Sequence, residues 1–345
     1  MSDPDPLAEL PARVRAAVRA RWPKAEVGEL APLPGGISSL TFATELGLPE
    51  GDRRVVVKMA PPGLEPVRNR DVLRQARLLD AVHGADGVRV PEVLARDGGT
   101  PPFFVMAFVP GESYEPKWDQ ASAPPSPSTV AARTRAAAEM LARLQAIDVA
   151  AAGVAAGLGN EPVLSPAQEL ERWARLFATA GDDLRGDEAR LRGALAASAP
   201  PAAPRPAIVH GDYRLGNLQF DGTRLAAIID WEIWSVGDPR ADLGWLMTFC
   251  DPVMERVAVR DPANLAAAAA MPTGAEVLET FRAAGGAAAN LDALPWFVAL
   301  AHYKLGATLS VLIKRSRRRP EPDPTLERAA ETTPPMLARG VSLLD

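Results

Sequence analysis

The first third of the chain carries two kinds of hydrophobic pattern, one helical and one extended. Apolar positions recur at helical spacing over residues 7–21 and 71–82, which predicts two amphipathic helices. Three apolar or β-branched runs, at residues 40–46, 54–59 and 103–109, predict strands. The order of these elements predicts a β-rich N-terminal region that contains one long internal helix.

The remainder of the chain is mainly helical in its pattern. Residues 128–147 predict a long helix, and another begins at Pro166 with Ser165 as its N-cap. Later helices are predicted over residues 239–249, 274–284, 294–315 and 325–344. We therefore expect an α+β chain in which most strands precede most helices.

A second extended pattern lies within this helical region. Residues 207–209 predict a short buried strand that delivers His210 to a loop. Residues 218–220 and 225–229 predict an antiparallel hairpin, because Asp221-Gly222 is a strong turn signal. Such a hairpin would bring the residue before its first strand close to the residue after its second.

Composition narrows the class of protein. The chain has 345 residues, a net charge of −5 and one cysteine, Cys250. The acidic balance argues against a nucleic-acid partner, and a single cysteine excludes an internal disulfide and favours a reducing compartment. We expect Cys250 to be a buried, inert thiol.

The N-terminus does not resemble a signal peptide, and no apolar run approaches the ~20 residues of a membrane span. These features predict a cytoplasmic protein with no membrane partner.

The loop and hairpin carry side chains suited to phosphoryl transfer. Asp212 lies on the loop, Asn217 starts the first hairpin strand and Asp230 ends the second. One carboxylate can accept the proton of an attacking hydroxyl, while an amide and a second carboxylate can hold Mg²⁺. The alternative is a surface hairpin with ordinary polar loop residues, which the shared order, spacing and strand context disfavour.

This segment resembles the catalytic and metal-binding loops of the aminoglycoside phosphotransferase family, which has a protein kinase-like fold. The family pattern H-G-D-x-x-x-x-N followed by I-D-W/F is present as His210-Gly211-Asp212 with Asn217, then Ile229-Asp230-Trp231. The match is close to the branch that includes the kinase-like domain of acyl-CoA dehydrogenase fusion proteins. The resemblance implies a two-lobed α+β fold with an N-lobe over residues 1–109 and a C-lobe over residues 110–345.

The resemblance also implies roles for individual residues. Asp212 would be the catalytic base, with Asn217 and Asp230 as Mg²⁺ ligands. His210 would brace the loop, and Asp242 would hydrogen-bond back to it from a helix. Tyr213 and Arg214 directly follow Asp212 within this motif, and both are candidates to face the acceptor.

The nucleotide, ATP or GTP, would bind in the N-lobe. Lys58 ends a buried-looking strand and would contact the α- and β-phosphates, the alternative being a strand-end lysine that reaches solvent. Gly35 and Gly36 would let backbone N–H groups approach phosphate oxygens, and the Ser38 and Ser39 hydroxyls would add hydrogen bonds.

The predicted hinge and first long helix complete the nucleotide half. The backbone of Ala107 to Val109 would recognise the base, with Met106 as an apolar wall. Gln75 stands where the family usually has a glutamate paired to the strand lysine. Three interpretations stay open: a tolerated variant, a shifted pair through Asp71, or a weakened nucleotide site.

The resemblance implies an acceptor that is a small molecule with a hydroxyl group, the candidate classes being hydroxyacyl-CoA thioesters, amino alcohols, sugars and antibiotics. A basic run near the end of a late helix fits a solvated helix end or an anionic acceptor. Further candidates for acceptor contact are Trp231, Glu232, Trp234, Trp296, His302, Tyr303 and Lys304.

The rival functions are a non-catalytic nucleotide-binding module, a protein kinase and a metal-dependent hydrolase. The oligomer would be a monomer or a homodimer.

Overall fold

The computed structural model describes residues 6–33, 39–85, 87–154, 163–256, 261–286 and 291–345. Contacts divide the chain into two compact units. The first takes the described residues within Met1–Gly111, Val149–Gly159 and Ala226–Trp234, and the second takes the rest. Asp230 therefore belongs to the first unit, whereas Asp212 and Asn217 belong to the second.

The first unit is built on an antiparallel sheet of six strands. Its longest pairing joins β3 to β4, with Thr41 opposite Lys58, and β4 also pairs with β6. The buried side chains of both central strands pack with helix α1 into one apolar core. The strands are β1 (Glu26–Val27), β2 (Ala31–Pro32), β3 (Leu40–Gly47), β4 (Arg53–Met59), β5 (Val93–Asp97) and β6 (Phe103–Ala107).

Two helices accompany this sheet. Helix α1 (Pro6–Arg21) lies against β5 and is held there by Arg13, whose guanidinium pairs with Asp97 at 3.1 Å. Helix α2 (Val72–Val82) begins at Asp71, whose side chain accepts the N–H of Arg74. A capping carboxylate satisfies a helix N–H group and favours the N-terminal dipole, so Asp71 explains where α2 starts.

The second unit is mainly helical. The capping residues predicted for α4 are confirmed, with Ser165 and Gln168 forming a reciprocal capping box. The helices are α3 (Pro127–Ala146), α4 (Pro166–Phe177), α5 (Glu188–Ala197), α6 (Arg240–Cys250), α7 (Pro262–Ala269), α8 (Gly274–Ala283), α9 (Leu294–Ser316) and α10 (Pro324–Ser342).

Helix α9 is the centre of this unit and packs against α4, α6 and α10. The helical stretch Leu291–Ser316, which contains α9, is long and apolar enough to span a membrane, with a mean hydropathy of 1.4. The expectation that no apolar run approaches that length was therefore wrong. Most of its apolar window, 83%, is buried inside the protein, as in the core helix of a folded domain.

Short strands frame the loop that carries the candidate base. Strand β7 (Ala207–Val209) is fully buried and pairs antiparallel with β10 (Ser235–Gly237), a partner that the sequence did not indicate. Strands β8 (Leu218–Asp221) and β9 (Arg224–Ile228) form the predicted hairpin. Its turn contains Gly222 at φ +60°, a conformation that glycine adopts without steric cost.

Candidate active site

The loop after β7 is fastened to the start of α6 by one buried carboxylate. Asp242 accepts the backbone N–H of His210 at 2.6 Å and that of Gly211 at 2.9 Å. The carboxylate is 1% exposed, and burial raises its pKa, while His210 and the two backbone donors oppose that rise. The resemblance predicted a hydrogen bond between Asp242 and the loop, and the structure has two.

The carboxylate of Asp212 is held by donors from three directions. The Trp245 indole N–H donates to Oδ1 at 2.9 Å, and the Asn217 amide donates to Oδ2 at 2.7 Å. Arg214 Nε lies 3.2 Å from Oδ1 and 3.3 Å from Oδ2. A carboxylate held by several donors has a fixed orientation. A group that must meet a substrate hydroxyl requires such an orientation.

His210 and Tyr213 support this loop from inside the protein. His210 is fully buried, and its Nδ1 accepts the Asp212 backbone N–H at 3.3 Å. Tyr213 is also buried and donates its hydroxyl to the Ala137 carbonyl at 2.8 Å. Burial raises the pKa of Tyr213 far above its usual value. The expectation that Tyr213 faces the acceptor was therefore wrong, because its side chain is used for packing.

Arg214 connects Asp212 to a buried glutamate that sequence reasoning missed. Glu115 is fully buried, accepts the Gly216 N–H at 3.2 Å, and lies 3.8 Å from Arg214. Burial raises the pKa of Glu115 to about 7, with Arg214 acting in the opposite direction. Glu115 lies about a hundred residues before Arg214, so no local pattern could have joined them.

A second cluster of charged and aromatic groups adjoins Trp245. Lys304 lies 3.6 Å from Glu169 and over the rings of Trp173 and Trp245, at 5.1 and 5.4 Å from their centroids. Trp173 donates its indole N–H to Glu169 at 2.8 Å. Burial raises the pKa of Glu169, but Lys304 and other donors outweigh it, so the net pKa is lowered. The cluster is thus a paired cation and anion against two rings.

In the first unit the predicted phosphate lysine has a carboxylate partner. Lys58 Nζ lies 2.9 Å from Asp230 Oδ1, with side-chain exposures of 8% and 39%. Asp230 also has a left-handed backbone, at φ +59°, which is uncommon outside glycine and tends to mark functional sites. The partner of Lys58 is thus Asp230 and not Asp71, which caps α2 and pairs with Arg77 at 3.1 Å.

Several predicted nucleotide contacts line one small cavity in this unit. Lys58, Gln75 and Met106 border a space of about 20 Å³ together with Asp230, the predicted metal ligand. Gln75 is 2% exposed, and its Nε2 has no hydrogen-bond partner among the described residues. The sequence correctly placed Gln75 beside the lysine-bearing strand, since both residues reach the same cavity.

The predicted hinge is only partly open for a ligand. The Ala107 N–H donates to the Glu92 carbonyl at 2.9 Å, and the Phe108 N–H donates to the Arg54 carbonyl at 3.1 Å. These two N–H groups are used inside the unit, so the prediction for the backbone of Ala107 can apply only to its carbonyl. Among the predicted hinge residues, Val109 is left to supply a backbone N–H.

The Gly-rich turn is described only at its end. Gly35, Gly36 and Ser38 lie outside the described residues. Ser39 is buried, and its hydroxyl has no partner in the described part of the chain.

The chemistry of the two predicted metal ligands suits Mg²⁺. Asn217 donates its amide N–H groups to Asp212, which leaves its side-chain oxygen as the atom that can face a cation. Asp230 contributes a carboxylate that is more than a third exposed. Mg²⁺ takes oxygen ligands and commonly uses one or two protein groups together with substrate phosphates. No cluster of three or more His, Cys, Asp or Glu occurs in the described ranges, and such a site does not need one.

Most aromatic candidates for acceptor contact are structural instead. Trp296 donates to the Leu195 carbonyl at 2.9 Å, and Tyr303 donates to Glu188 at 2.6 Å. The buried side chains in this group are Trp231, Trp234, Trp296, His302 and Tyr303.

The basic run at the end of α9 is partly paired. Arg317 binds both Glu327 at 3.0 Å and Asp183 at 2.7 Å, and Lys314 donates to the Thr179 carbonyl. The run therefore behaves as a solvated helix end.

Comparisons with known proteins show similarity to phosphotransferases. A model of the phosphotransferase enzyme family matches residues 29–297. Mouse acyl-CoA dehydrogenase family member 10 is 27% identical over 300 residues, which cover 84% of this chain and 26% of that protein. Viomycin phosphotransferase of Streptomyces vinaceus is 32% identical over 180 residues, or 49% of this chain and 59% of that one. The chain spans about a quarter to a third of the length of the acyl-CoA dehydrogenase relatives.

Solved structures establish the fold. A Ralstonia eutropha protein aligns with a TM-score of 0.69 at 22% identity over 98% of both chains. An aminoglycoside phosphotransferase in complex with AMP-PNP and hygromycin B aligns with a TM-score of 0.60 at 16% identity, over 96% of this chain and 98% of that one. The kinase-like α+β fold predicted from the sequence is confirmed.

Proposed function

Because the chain belongs to the phosphotransferase enzyme family, we propose that it transfers the γ-phosphate of ATP or GTP to a hydroxyl of a small molecule. Asp212 accepts the hydroxyl proton, while Asn217 and Asp230 would hold Mg²⁺, which would supply charge neutralisation to the phosphates. Lys58 contacts the phosphates. Most of the catalysis in such a reaction comes from positioning and electrostatic stabilisation.

The observation that carries the proposal is the fixed carboxylate of Asp212. Three donors from the loop and from α6 orient it, and Asp242 holds the loop on that helix. A surface loop with ordinary polar residues would not use buried groups to orient one acid. Because Asp212 remains about a quarter exposed, it can still meet a substrate.

The charges near Asp212 favour some acceptors over others. Two acids near Asp212 are already paired with cations: Glu115 with Arg214, which contacts Asp212, and Glu169 with Lys304, which lies over the ring of Trp245. A polycationic aminoglycoside would need carboxylates that are not neutralised. We therefore propose an acceptor that carries a hydroxyl but few amino groups.

The experiment is Mg²⁺-dependent ADP or GDP release across a panel of hydroxyacyl-CoA thioesters, choline, sugars, aminoglycosides and macrolides. Acceptor-stimulated release of nucleoside diphosphate supports the proposal and identifies the acceptor class. Tight binding of Mg²⁺–nucleotide without release on any acceptor would favour a non-catalytic binding module instead.

The metal part of the proposal has its own test. Asp230→Ala should abolish Mg²⁺-dependent nucleotide binding, whereas Asp221→Ala, on the exposed hairpin turn, should leave it intact. Unchanged binding in Asp230→Ala would remove this residue from the metal site.

A further inference from the structure

Lys58 has an unusual electrostatic environment for a buried lysine. Its ammonium pairs with Asp230, and the neutral side chain of Gln75 borders the same cavity from α2. A glutamate at position 75 would offer Lys58 a second carboxylate, whereas a glutamine carries no charge. The nearest acid on this helix, Asp71, is committed to the helix cap and to Arg77.

We propose that Gln75 is a positioning residue that makes Asp230 the counter-ion of Lys58 and so couples metal binding to nucleotide binding. The inference rests on the proposed function, in which Lys58 contacts phosphate and Asp230 contacts metal. Gln75 acts through Lys58 and touches neither substrate nor metal.

The coupling follows from what each ligand does to the ion pair. A metal ion that binds alone takes Asp230 away from Lys58 and leaves a nearly buried ammonium without its carboxylate, which is unfavourable. A nucleotide that binds alone takes Lys58 and leaves the Asp230 carboxylate beside negative phosphates. When both bind, the pair is broken once and each half gains a new partner of opposite charge. Each ligand therefore strengthens the binding of the other.

The backbone of Asp230 strengthens this reasoning. Its left-handed conformation is uncommon outside glycine and tends to mark functional sites, and its carboxylate lies 2.9 Å from Lys58. Whether Asp230 can leave Lys58 and bind a metal ion then depends on whether Lys58 has another carboxylate partner. In this chain the neighbouring position that could supply one is occupied by neutral Gln75.

The test is the affinity of the protein for Mn²⁺, used as a probe for Mg²⁺, in the absence of nucleotide. Gln75→Glu gives Lys58 a second carboxylate and frees Asp230, so Mn²⁺ should bind about fivefold more tightly, as expected for the loss of a partly exposed ion pair. Free Mn²⁺ is followed by electron paramagnetic resonance. The gain should disappear in the double variant Gln75→Glu/Asp230→Asn.

A matched control separates this effect from a general change in charge. Arg77→Gln lowers the net charge by the same amount on the exposed face of the same helix, two residues away, without placing a carboxylate near Lys58. It should leave Mn²⁺ affinity unchanged. If Gln75→Glu binds Mn²⁺ no better than Arg77→Gln, the inference is overturned.

A second variant covers the case in which Gln75→Glu does not fold. Lys58→Met removes the pair from its other side and retains side-chain length, with Arg54→Met on the same strand as its control. Lys58→Met should also bind Mn²⁺ about fivefold more tightly without nucleotide, and equal affinities would overturn the inference. Failure of the proposed function would be distinguishable, because it shows in the wild-type protein as absent nucleotide binding or as binding without acceptor-stimulated release, whereas the Mn²⁺ measurement uses neither nucleotide nor acceptor.

Discussion

Replacement of Trp245 by phenylalanine should impair phosphoryl transfer without preventing folding. The change removes the indole N–H that donates to Asp212 Oδ1 at 2.9 Å and keeps an aromatic ring at a site that is 6% exposed. A hydrogen bond to a charged group contributes about 1.5–3 kcal/mol. Because Arg214 and Asn217 still hold Asp212, we expect the lower value, which corresponds to about a tenfold fall in kcat/KM.

The structure offers a matched control for this change. Trp296 is also buried, and its indole N–H donates at 2.9 Å to the Leu195 carbonyl, not to the candidate base. Trp296→Phe should therefore lose a similar amount of stability, on the order of 1 kcal/mol, and retain kcat/KM. The assay is steady-state ADP or GDP release with the preferred acceptor, together with urea unfolding of both variants.

The two variants give clear alternatives. A fall in kcat/KM in Trp245→Phe alone, with nucleotide affinity unchanged, supports a role for the indole in holding Asp212. Equal kcat/KM in the two variants would refute the reasoning and leave the Trp245 contact as packing only.

Three further predictions concern charge, capping and the thiol. Burial raises the pKa of Glu115 from about 4.5 in the unfolded chain to about 7 in the folded protein. Its contribution to the free energy of unfolding is therefore fully present below pH 4.5 and is lost as the pH rises through 7. Urea unfolding of Glu115→Gln should lack this fall, which amounts to roughly 2–3 kcal/mol between pH 5 and 8 in the wild type. Asp71→Ala should cost about 1 kcal/mol of unfolding free energy through loss of the α2 cap and leave nucleotide affinity unchanged; a large fall in affinity would restore Asp71 as a partner of Lys58. Burial raises the pKa of Cys250 to about 12, so this thiol should react with a disulfide reagent at pH 8 only after unfolding, and rapid native labelling would contradict its burial.

Local patterns predicted the parts of the site that are close in sequence. The loop from His210 to Asn217 and the hairpin up to Asp230 depend on strand runs and one turn, which short-range rules describe well. The helix cap at Ser165 likewise depends on a residue three positions away, whereas the cap at Asp71 was not predicted. Strand β5 was missed, because Val93–Asp97 alternates weakly and pairs with β6 through a register shift.

Long-range partners could not be predicted in the same way. Glu115 reaches Gly216 and Arg214 across about a hundred residues, and no periodicity records that contact. Trp245 could have been found, since it lies three residues after Asp242 on α6 and so faces the same loop. The partner of Lys58 depends on tertiary packing, and for that reason the sequence left Asp71 and Gln75 both open.

The central claim is that Asp212 is the base of a phosphotransferase, and Asp212→Asn tests it most directly. With the preferred acceptor and saturating Mg²⁺–nucleotide, the variant should lose at least ~10²-fold in turnover, as expected when a general base is removed. Its nucleotide affinity should be retained, because the proposed phosphate and metal ligands are intact. The hairpin-turn variant Asp221→Asn should keep full turnover. If Asp212→Asn turns over as fast as Asp221→Asn, the assignment of the base, and with it this account of the site, is wrong.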